Sequence, residues 1–337
     1  DCDLVPKILA NVGKPDLSTT VFGRKISMPI FLSPAAMQRL YHPEGDKASA
    51  RAAEKFNTFY SMSTMSNNSI EQIANLSSGP KLFQLYIHKD QSITDDLIDR
   101  CKRANFDGLC LTVDTIVAGN RERDHRTGFT TPPKLTLKSL FSFAIKPKWV
   151  FDYLTNEKFE LSNVKNKTDK GTNITKSVIE YINEQYDPGM NWSDAEYVVK
   201  RWDKPFAIKG VMSVEDAKRA VDIGCTAIMI SNHGGRQLDG SRSPFDQIKL
   251  ISDAVGDKVD IILDGGVRRG THVLKAIAAG AKACSFGKAF LFSLSAGGQK
   301  GVEKLLQNMH DEIQRNMILM GCKNLKDLNY SRLIFRR

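Results

Sequence analysis

Short apolar runs recur along the chain, each followed by a polar turn and then a stretch whose apolar residues return every three or four positions. Eight runs predict β-strands: Pro29–Ser33, Thr58–Met62, Leu82–Tyr86, Gly108–Val113, Pro205–Lys209, Ala227–Ile230, Ile261–Leu263 and Ala283–Phe286. Between them, Glu44–Phe56, Ser92–Ala104, Ser213–Ile223, Phe245–Val255 and Thr271–Ala279 carry helical spacing, and Gly301–Met317 reads as a closing amphipathic helix. Strand and helix alternating eight times predict the α/β class, a (β/α)8 TIM barrel whose parallel sheet is buried by the surrounding helices. An open doubly wound sheet is the alternative, weakened because no G-x-G-x-x-G follows the first strand.

The spacing is interrupted once, between the fourth and fifth strands, where 124–197 form an insertion within what reads as a single barrel over 1–337. From Lys134 to Lys176 it holds Phe141, Phe143, Trp149, Phe151, Tyr153 and Phe159 among many lysines, and roughly half of the chain's net charge of +10. Lysine interleaved with aromatics suits an anionic membrane surface or an electron-transfer partner. A mobile lid with solvated lysines is the plainer alternative.

Composition narrows the picture little further. At 337 residues and pI near 9.2, the chain can bury a sizeable core and favours anionic partners. The six cysteines form no C-x-x-C pair and no metal-like cluster with histidine, which fits reduced thiols in an intracellular protein. No apolar run approaches the roughly 18 residues needed to span a bilayer, and the opening DCDLVPKIL has no signal-peptide pattern. The expected location is the cytoplasm, or the inner face of the cytoplasmic membrane as a peripheral protein. Because the chain opens without methionine into structured-looking sequence, a preceding N-terminal segment is expected.

Barrel active sites are built at the carboxyl ends of the strands, and here every strand end carries a ligand-capable group. The first ends in Pro34-Ala35-Ala36, small residues against which a flat ligand can lie, and the second in Ser63 and Met65. Gln84 and Tyr86 alternate on the third, Thr112 and Asp114 on the fourth with Arg121 beyond. The fifth ends with Lys209, a charge that needs an anion in an apolar run. The sixth leads into SNHGGRQLDG, Ser231 to Gly240, where His233 is suited to proton transfer and Arg236 to holding a carboxylate by two bonds. Asp264-Gly265-Gly266-Val267-Arg268 and Gly287-Lys288 end the last two strands, where glycine turns and positive charge imply a phosphate-bearing cofactor. No metal site is expected.

The motifs SNHGGRQLDG, LDGGVRRG at Leu263–Gly270, FQLY at Phe83–Tyr86, LTVDT at Leu111–Thr115, IKG at Ile208–Gly210 and HPEGD at His42–Asp46 resemble those of the FMN-dependent L-2-hydroxy acid oxidases and dehydrogenases. This family includes glycolate oxidase, L-lactate dehydrogenase and mandelate dehydrogenase. The resemblance implies that His233 takes the proton, that Asp114 stabilises the resulting imidazolium, and that Arg121 and Arg236 clamp the substrate carboxylate. Tyr86 would face the substrate, and Lys209 would sit at the flavin N1/O2 edge. Pro34, Ala35, Ala36, Ser63, Gln84, Thr112 and Ser231 would line the ring, while Asp264, Gly265, Gly266, Arg268, Gly287 and Lys288 would hold the ribityl and phosphate.

Four departures matter. The family's N-terminal segment, which supplies a second active-site tyrosine, is expected to be missing from this chain. Lys288 stands where an arginine is usual, and Met65 where glycolate oxidases carry a substrate-contacting tryptophan. Ile116 replaces a proline, and the following VAGNRERD resembles the lactate and mandelate dehydrogenase branch more than the plant oxidases. The expected activity is therefore oxidation of an L-2-hydroxy acid, L-lactate first, with electrons leaving reduced FMN for a quinone or cytochrome. An oxygen-using oxidase that makes hydrogen peroxide and a mandelate-type dehydrogenase are the alternatives, and a homo-oligomer, a tetramer in many members, is implied. A nucleic-acid binder is disfavoured, since it would not account for polar groups at every strand end.

Overall fold

The computed structural model describes residues 2–128, 136–157, 159–164 and 187–336, so parts of the predicted insertion (129–135, 158 and 165–186) lie outside the described residues. Strand β1 (Cys2–Leu4) pairs antiparallel with β12 (Leu333–Phe335), bringing the two ends of the described chain together. A hairpin follows, β2 (Thr19–Val21) with β3 (Arg24–Ile26). The barrel comprises β4 (Ile30–Leu32), β5 (Tyr60–Ser63), β6 (Lys81–Leu85), β7 (Gly108–Thr112), β8 (Phe206–Val211), β9 (Ala227–Ile230), β10 (Asp260–Asp264) and β11 (Ala283–Phe286). These strands are parallel and in sequence order, and β11 closes the ring onto β4. Each overlaps one of the eight predicted runs.

Five predicted helices match α1 (Gly45–Lys55), α3 (Gln91–Arg103), α8 (Val214–Asp222), α9 (Pro244–Val255) and α10 (Gly270–Ala278). The remaining helices are α2 (Ile70–Leu76), α4 (Glu122–Thr127), α5 (Leu137–Ala144), α6 (Pro147–Thr155), α7 (Trp192–Trp202) and α11 (Lys288–Leu319). Helix α2 was missed because it is only seven residues long; Ser69 and Gln72 form a capping box at its start. Helix α7 begins inside the stretch assigned to the insertion, with Asn191 and Asp194 capping its first turn. The closing helix starts at Lys288 rather than Gly301. Its path breaks at Gly297 and Gly298, which leave helical φ/ψ, and a Cβ on Gly298 would lie 2.7 Å from Cε1 of His42.

The strands place chemistry at one end of the barrel by a simple alternation. Phe31, Phe59, Leu82, Cys110, Ala207, Met229, Ile262 and Ala283 form one buried cluster with Val21, Phe22 and Ile26 of the hairpin. That cluster is separate from the larger core between strands and helices, so the hairpin plugs the amino end of the barrel. Phe22 packs edge-on against Phe59, with centroids 5.6 Å apart. Two residues further along each strand, on the same face, stand Ser33, Ser61, Gln84, Thr112, Lys209, Ser231, Asp264 and Ser285. All eight are buried and polar. An apolar floor beneath a polar layer is the platform on which the site is built.

Candidate active site

The polar layer opens into a cavity of about 580 Å³ at the carboxyl end of the strands. At its base Lys209 and Asp264 form a buried ion pair, Nζ 3.0 Å from Oδ2. Ser231 Oγ donates to the same Asp264 oxygen at 2.8 Å and receives a bond from Lys209 Nζ at 3.1 Å. Ser33 and Ser285 donate to the other oxygen, at 2.6 and 2.5 Å. Burial by itself would raise the Asp264 carboxyl; Lys209 and the two hydroxyls outweigh it and hold the group at about 2. Burial likewise opposes the charge of Lys209, but Asp264 and then Asp114 keep its ammonium above the ordinary lysine range. The base of the cavity thus holds Lys209 in its charged form, as one half of a buried ion pair.

Next to it, His233 Nδ1 lies 3.0 Å from Asp114 Oδ1. Thr115 Oγ1 donates to the same Asp114 oxygen at 3.0 Å. Burial works against the Asp114 charge, and the bond from His233 and the nearby Lys209 outweigh it, so the carboxyl sits below its ordinary range. His233 has φ 57 and is followed by Gly234 and Gly235 at φ 69 and 72, a left-handed turn that swings the imidazole onto the cavity wall. A histidine in this region is strained and needs support. Its backbone N–H donates to Ser231 Oγ at 3.1 Å, and Gln237 Nε2 ties the turn to the carbonyls of Asp114 and Val117 at 2.9 and 3.0 Å. The glycine of the IKG motif has a related purpose. Gly210 has φ +113, and a Cβ there would lie 2.8 Å from the Asp114 Cβ.

Arg121, Arg236, Tyr86 and Met65 line the same cavity. Burial first, and the charge of Arg121 second, pull the Arg236 pKa below the usual arginine value. Two guanidinium groups held together in this way define a site for an anion, and Arg121 Nε is buried with no hydrogen-bond partner among the described residues. Burial raises the Tyr86 phenol, which keeps its hydroxyl protonated at neutral pH. At the other end of the cavity stand Gly265, Gly266, Arg268, Gly287 and Lys288, with open space where a Cβ on Gly266 would project.

Of the residues singled out in the sequence, Asp114 and Ser231 do not line the cavity; they stand behind His233 and Lys209. Pro34, Ala35, Ala36, Ser63, Gln84, Thr112, Lys209 and Asp264 all reach its wall. The structure adds Leu40, Tyr41, Thr115, Asn232, Ser243 and Leu291. Only Thr115 and Asn232 had a signal, as direct neighbours of Asp114 and His233 in their motifs.

Gln84 Nε2 and Thr112 Oγ1 are buried beside the cavity with no hydrogen-bond partner among the described residues. A planar heterocycle with donors and acceptors along its edge would satisfy them, lying on Ala35 and Ala36 with a phosphate at the glycine end. FMN has that shape, and Lys209 is placed to balance negative charge gained on reduction. Fold and site together define a flavin-dependent oxidoreductase on a TIM barrel. Residues 1–335 match the FMN-dependent dehydrogenase family, and the chain belongs to it. It is 38% identical to glycolate oxidase of Spinacia oleracea over 328 residues, covering 97% of this chain and 83% of that protein. Identity to L-lactate oxidase of Nostoc sp. is also 38%, over 337 residues, covering 97% of this chain and 85% of that protein. Among solved structures, the monotopic membrane protein (S)-mandelate dehydrogenase superposes with a TM-score of 0.94 at 31% identity, covering 99% of this chain and 88% of that one. FMN is the cofactor, and oxidation of a 2-hydroxy acid is the reaction class.

Proposed function

We propose that the chain oxidises L-lactate to the 2-oxo acid and passes the electrons to a quinone or cytochrome at a membrane surface. The substrate carboxylate is clamped between Arg121 and Arg236, which places the carbinol carbon near His233. Because Nδ1 is engaged by Asp114, Nε2 is the nitrogen that accepts the proton. Whether the hydroxyl or the α-carbon gives up that proton, Nε2 takes up one per turnover, and Asp114 stabilises the imidazolium. FMN, which Lys209, Arg268 and Lys288 would hold, would supply the acceptor for the two electrons. Tyr86 offers a hydroxyl to the substrate oxygen, and Lys209 stays charged throughout. Leu40 and Met65 give the substrate side an apolar wall of moderate size, which favours a methyl group over the hydrogen of glycolate.

The observation that carries the acceptor reading is the pair α5 and α6. Leu137 and Phe151 are 87% and 67% exposed, and Leu140, Phe141, Ile145 and Leu154 are exposed beside them. The pair is anchored at the rim of the site, where Trp149 Nε1 donates to the carbonyl of Leu40 at 2.8 Å. No helix among the described residues is long and apolar enough to cross a membrane, so the surface fits a protein lying on the bilayer, as the mandelate dehydrogenase does by its description. The second reading, an oxidase that reduces oxygen, is favoured by the names of the curated relatives.

An anaerobic titration tests both. L-Lactate should bleach the visible flavin band, and recolouring should be slow in air and fast with a soluble quinone. Bleaching by mandelate or glycolate but not by lactate would overturn the substrate, and fast recolouring in air would overturn the acceptor.

A further inference from the structure

One buried polar cluster outside the cavity is not used by the chemistry above. Gln38, Asp46 and Tyr60 are fully buried, on the loop after β4, the first turn of α1 and the start of β5. Tyr60 Oη donates to Asp46 Oδ1 at 2.6 Å. Gln38 Nε2 donates to Tyr60 Oη and to the carbonyl of Ala35, both at 3.3 Å, and Ser49 Oγ donates to Gln38 Oε1 at 2.7 Å. The second Asp46 oxygen accepts from the N–H of Asn67 at 3.3 Å, and Asn67 Oδ1 accepts from the N–H of Arg39 at 3.1 Å.

The loop fastened in this way is the cavity wall. Ala35, Ala36, Met37, Leu40 and Tyr41 face the cavity, while Gln38 is turned away into the cluster. A wall of small side chains and backbone has little to grip with on its own. Met37 also sits at φ 54, a strained value for a residue with a side chain. Gly45 lets α1 approach: at φ +46, a Cβ there would lie 2.7 Å from Cγ of Arg39. Apolar residues would fill this space at lower cost than a buried carboxylate and two hydroxyls. They would not fix the Ala35 carbonyl in one place, as directed bonds do.

We propose that Asp46, Tyr60 and Gln38 are positioning residues, which set FMN affinity and substrate fit by holding loop 34–41 in its cavity-facing shape. This assigns a purpose to the His42–Asp46 motif, whose aspartate touches no part of the catalytic cavity. The proposal rests on the FMN site at the strand ends.

The test compares wild type, Tyr60→Phe, Gln38→Leu and the double variant as purified holoenzymes. FMN affinity is read from quenching of flavin fluorescence on binding to the stripped protein, and KM and kcat from turnover of L-lactate. Each single variant should raise the FMN Kd roughly tenfold, about the worth of one buried bond to a charged network. KM should rise by more than kcat falls, and the double variant should be no worse than the worse single, because the three act as a unit. Tyr197→Phe removes a hydroxyl–carboxylate bond to Asp95 elsewhere on the barrel and should leave the FMN Kd unchanged. If Tyr60→Phe does not accumulate, Ser49→Ala, which removes only the outer support of Gln38, should shift the same constants in the same direction by a smaller factor. Single variants that lose thermal stability but keep the wild-type FMN Kd and KM would overturn the proposal. A wild-type protein that does not rebind FMN would overturn the site assignment itself, and the proposal with it.

Discussion

His233 and Asp114 come from loops 119 residues apart in sequence and meet through Nδ1 and Oδ1 at 3.0 Å. The pairing fixes the ring's orientation and leaves Nε2 to exchange protons. Asp114→Asn should keep the geometry but no longer stabilise the imidazolium. The rate of flavin bleaching under anaerobic conditions should fall about 10²- to 10⁴-fold with little change in KM. An unchanged rate would remove Asp114 from the mechanism.

Arg236→Lys retains the charge and loses the fork. If the arginine grips the carboxylate by two bonds, the loss should be about 1.5–3 kcal/mol, seen as a KM tenfold or more higher. A lysine variant with wild-type KM would show that charge alone is used.

Gly119 offers a test that touches no catalytic side chain. A Cβ there would collide with the carbonyl of Arg236 and lie 2.8 Å from Oε1 of Gln237. Gly119→Ala should displace the loop carrying Arg236 and raise KM several-fold. The thermal midpoint should move little, because this loop is at the surface. Equal KM values would show that the loop yields without cost.

Lys209 and Asp264 make a prediction about stability. Asp264→Asn leaves a buried ammonium without its counter-charge and should cost about 3–5 kcal/mol in denaturant titrations. The pH dependence has a definite sign. The Asp264 carboxyl is held at about 2 against an ordinary 3.8, so its contribution is complete above 3.8 and is lost as the pH falls through about 2. Lys209 is raised above 10.5, so its contribution is complete below that value and is lost only as the pH rises through the higher folded value. Around neutrality the pair should therefore give a flat profile.

The apolar face of α5 and α6 predicts binding to phosphatidylglycerol vesicles in a sedimentation assay. Phe141→Ser with Phe151→Ser should release the protein while leaving turnover with a soluble acceptor unchanged. Binding that survives the double change would place the contact elsewhere.

The barrel was legible because each of its strands is a short apolar run with a polar residue two positions beyond its floor residue. Lys209 and Asp264 could be picked out for the same reason, and His233 and Arg236 because the turn Ser231–Gly240 gathers them directly after a strand. Other parts depend on contacts that no local pattern records. Asp46 reads as an ordinary first-turn acid and is instead buried against Tyr60. The hairpin Thr19–Val21 and Arg24–Ile26 is too short to announce itself, yet its Phe22 fills the barrel floor. The apolar spacing starts the closing helix only at Gly301, whereas it begins at Lys288 and is broken at Gly297 and Gly298. Tyr41 entered the cavity only through the course of a loop that Gln38 holds from behind.

The carboxylate of Asp264 has a mechanical consequence besides its chemical one. Through Lys209, Ser231, Ser285 and Ser33 it is bonded to groups on or directly after β8, β9, β11 and β4, and it stands on β10 itself. These five strands are consecutive around the ring. Opening any one of them at its carboxyl end breaks a bond to the same two oxygen atoms, so amide exchange there should proceed by joint opening, as one cooperative unit. Along the rest of the ring the tie is pairwise instead: between β5 and β6, Ser63 Oγ donates to Gln84 Oε1 at 3.1 Å and Thr64 Oγ1 to the Gln84 carbonyl at 2.7 Å.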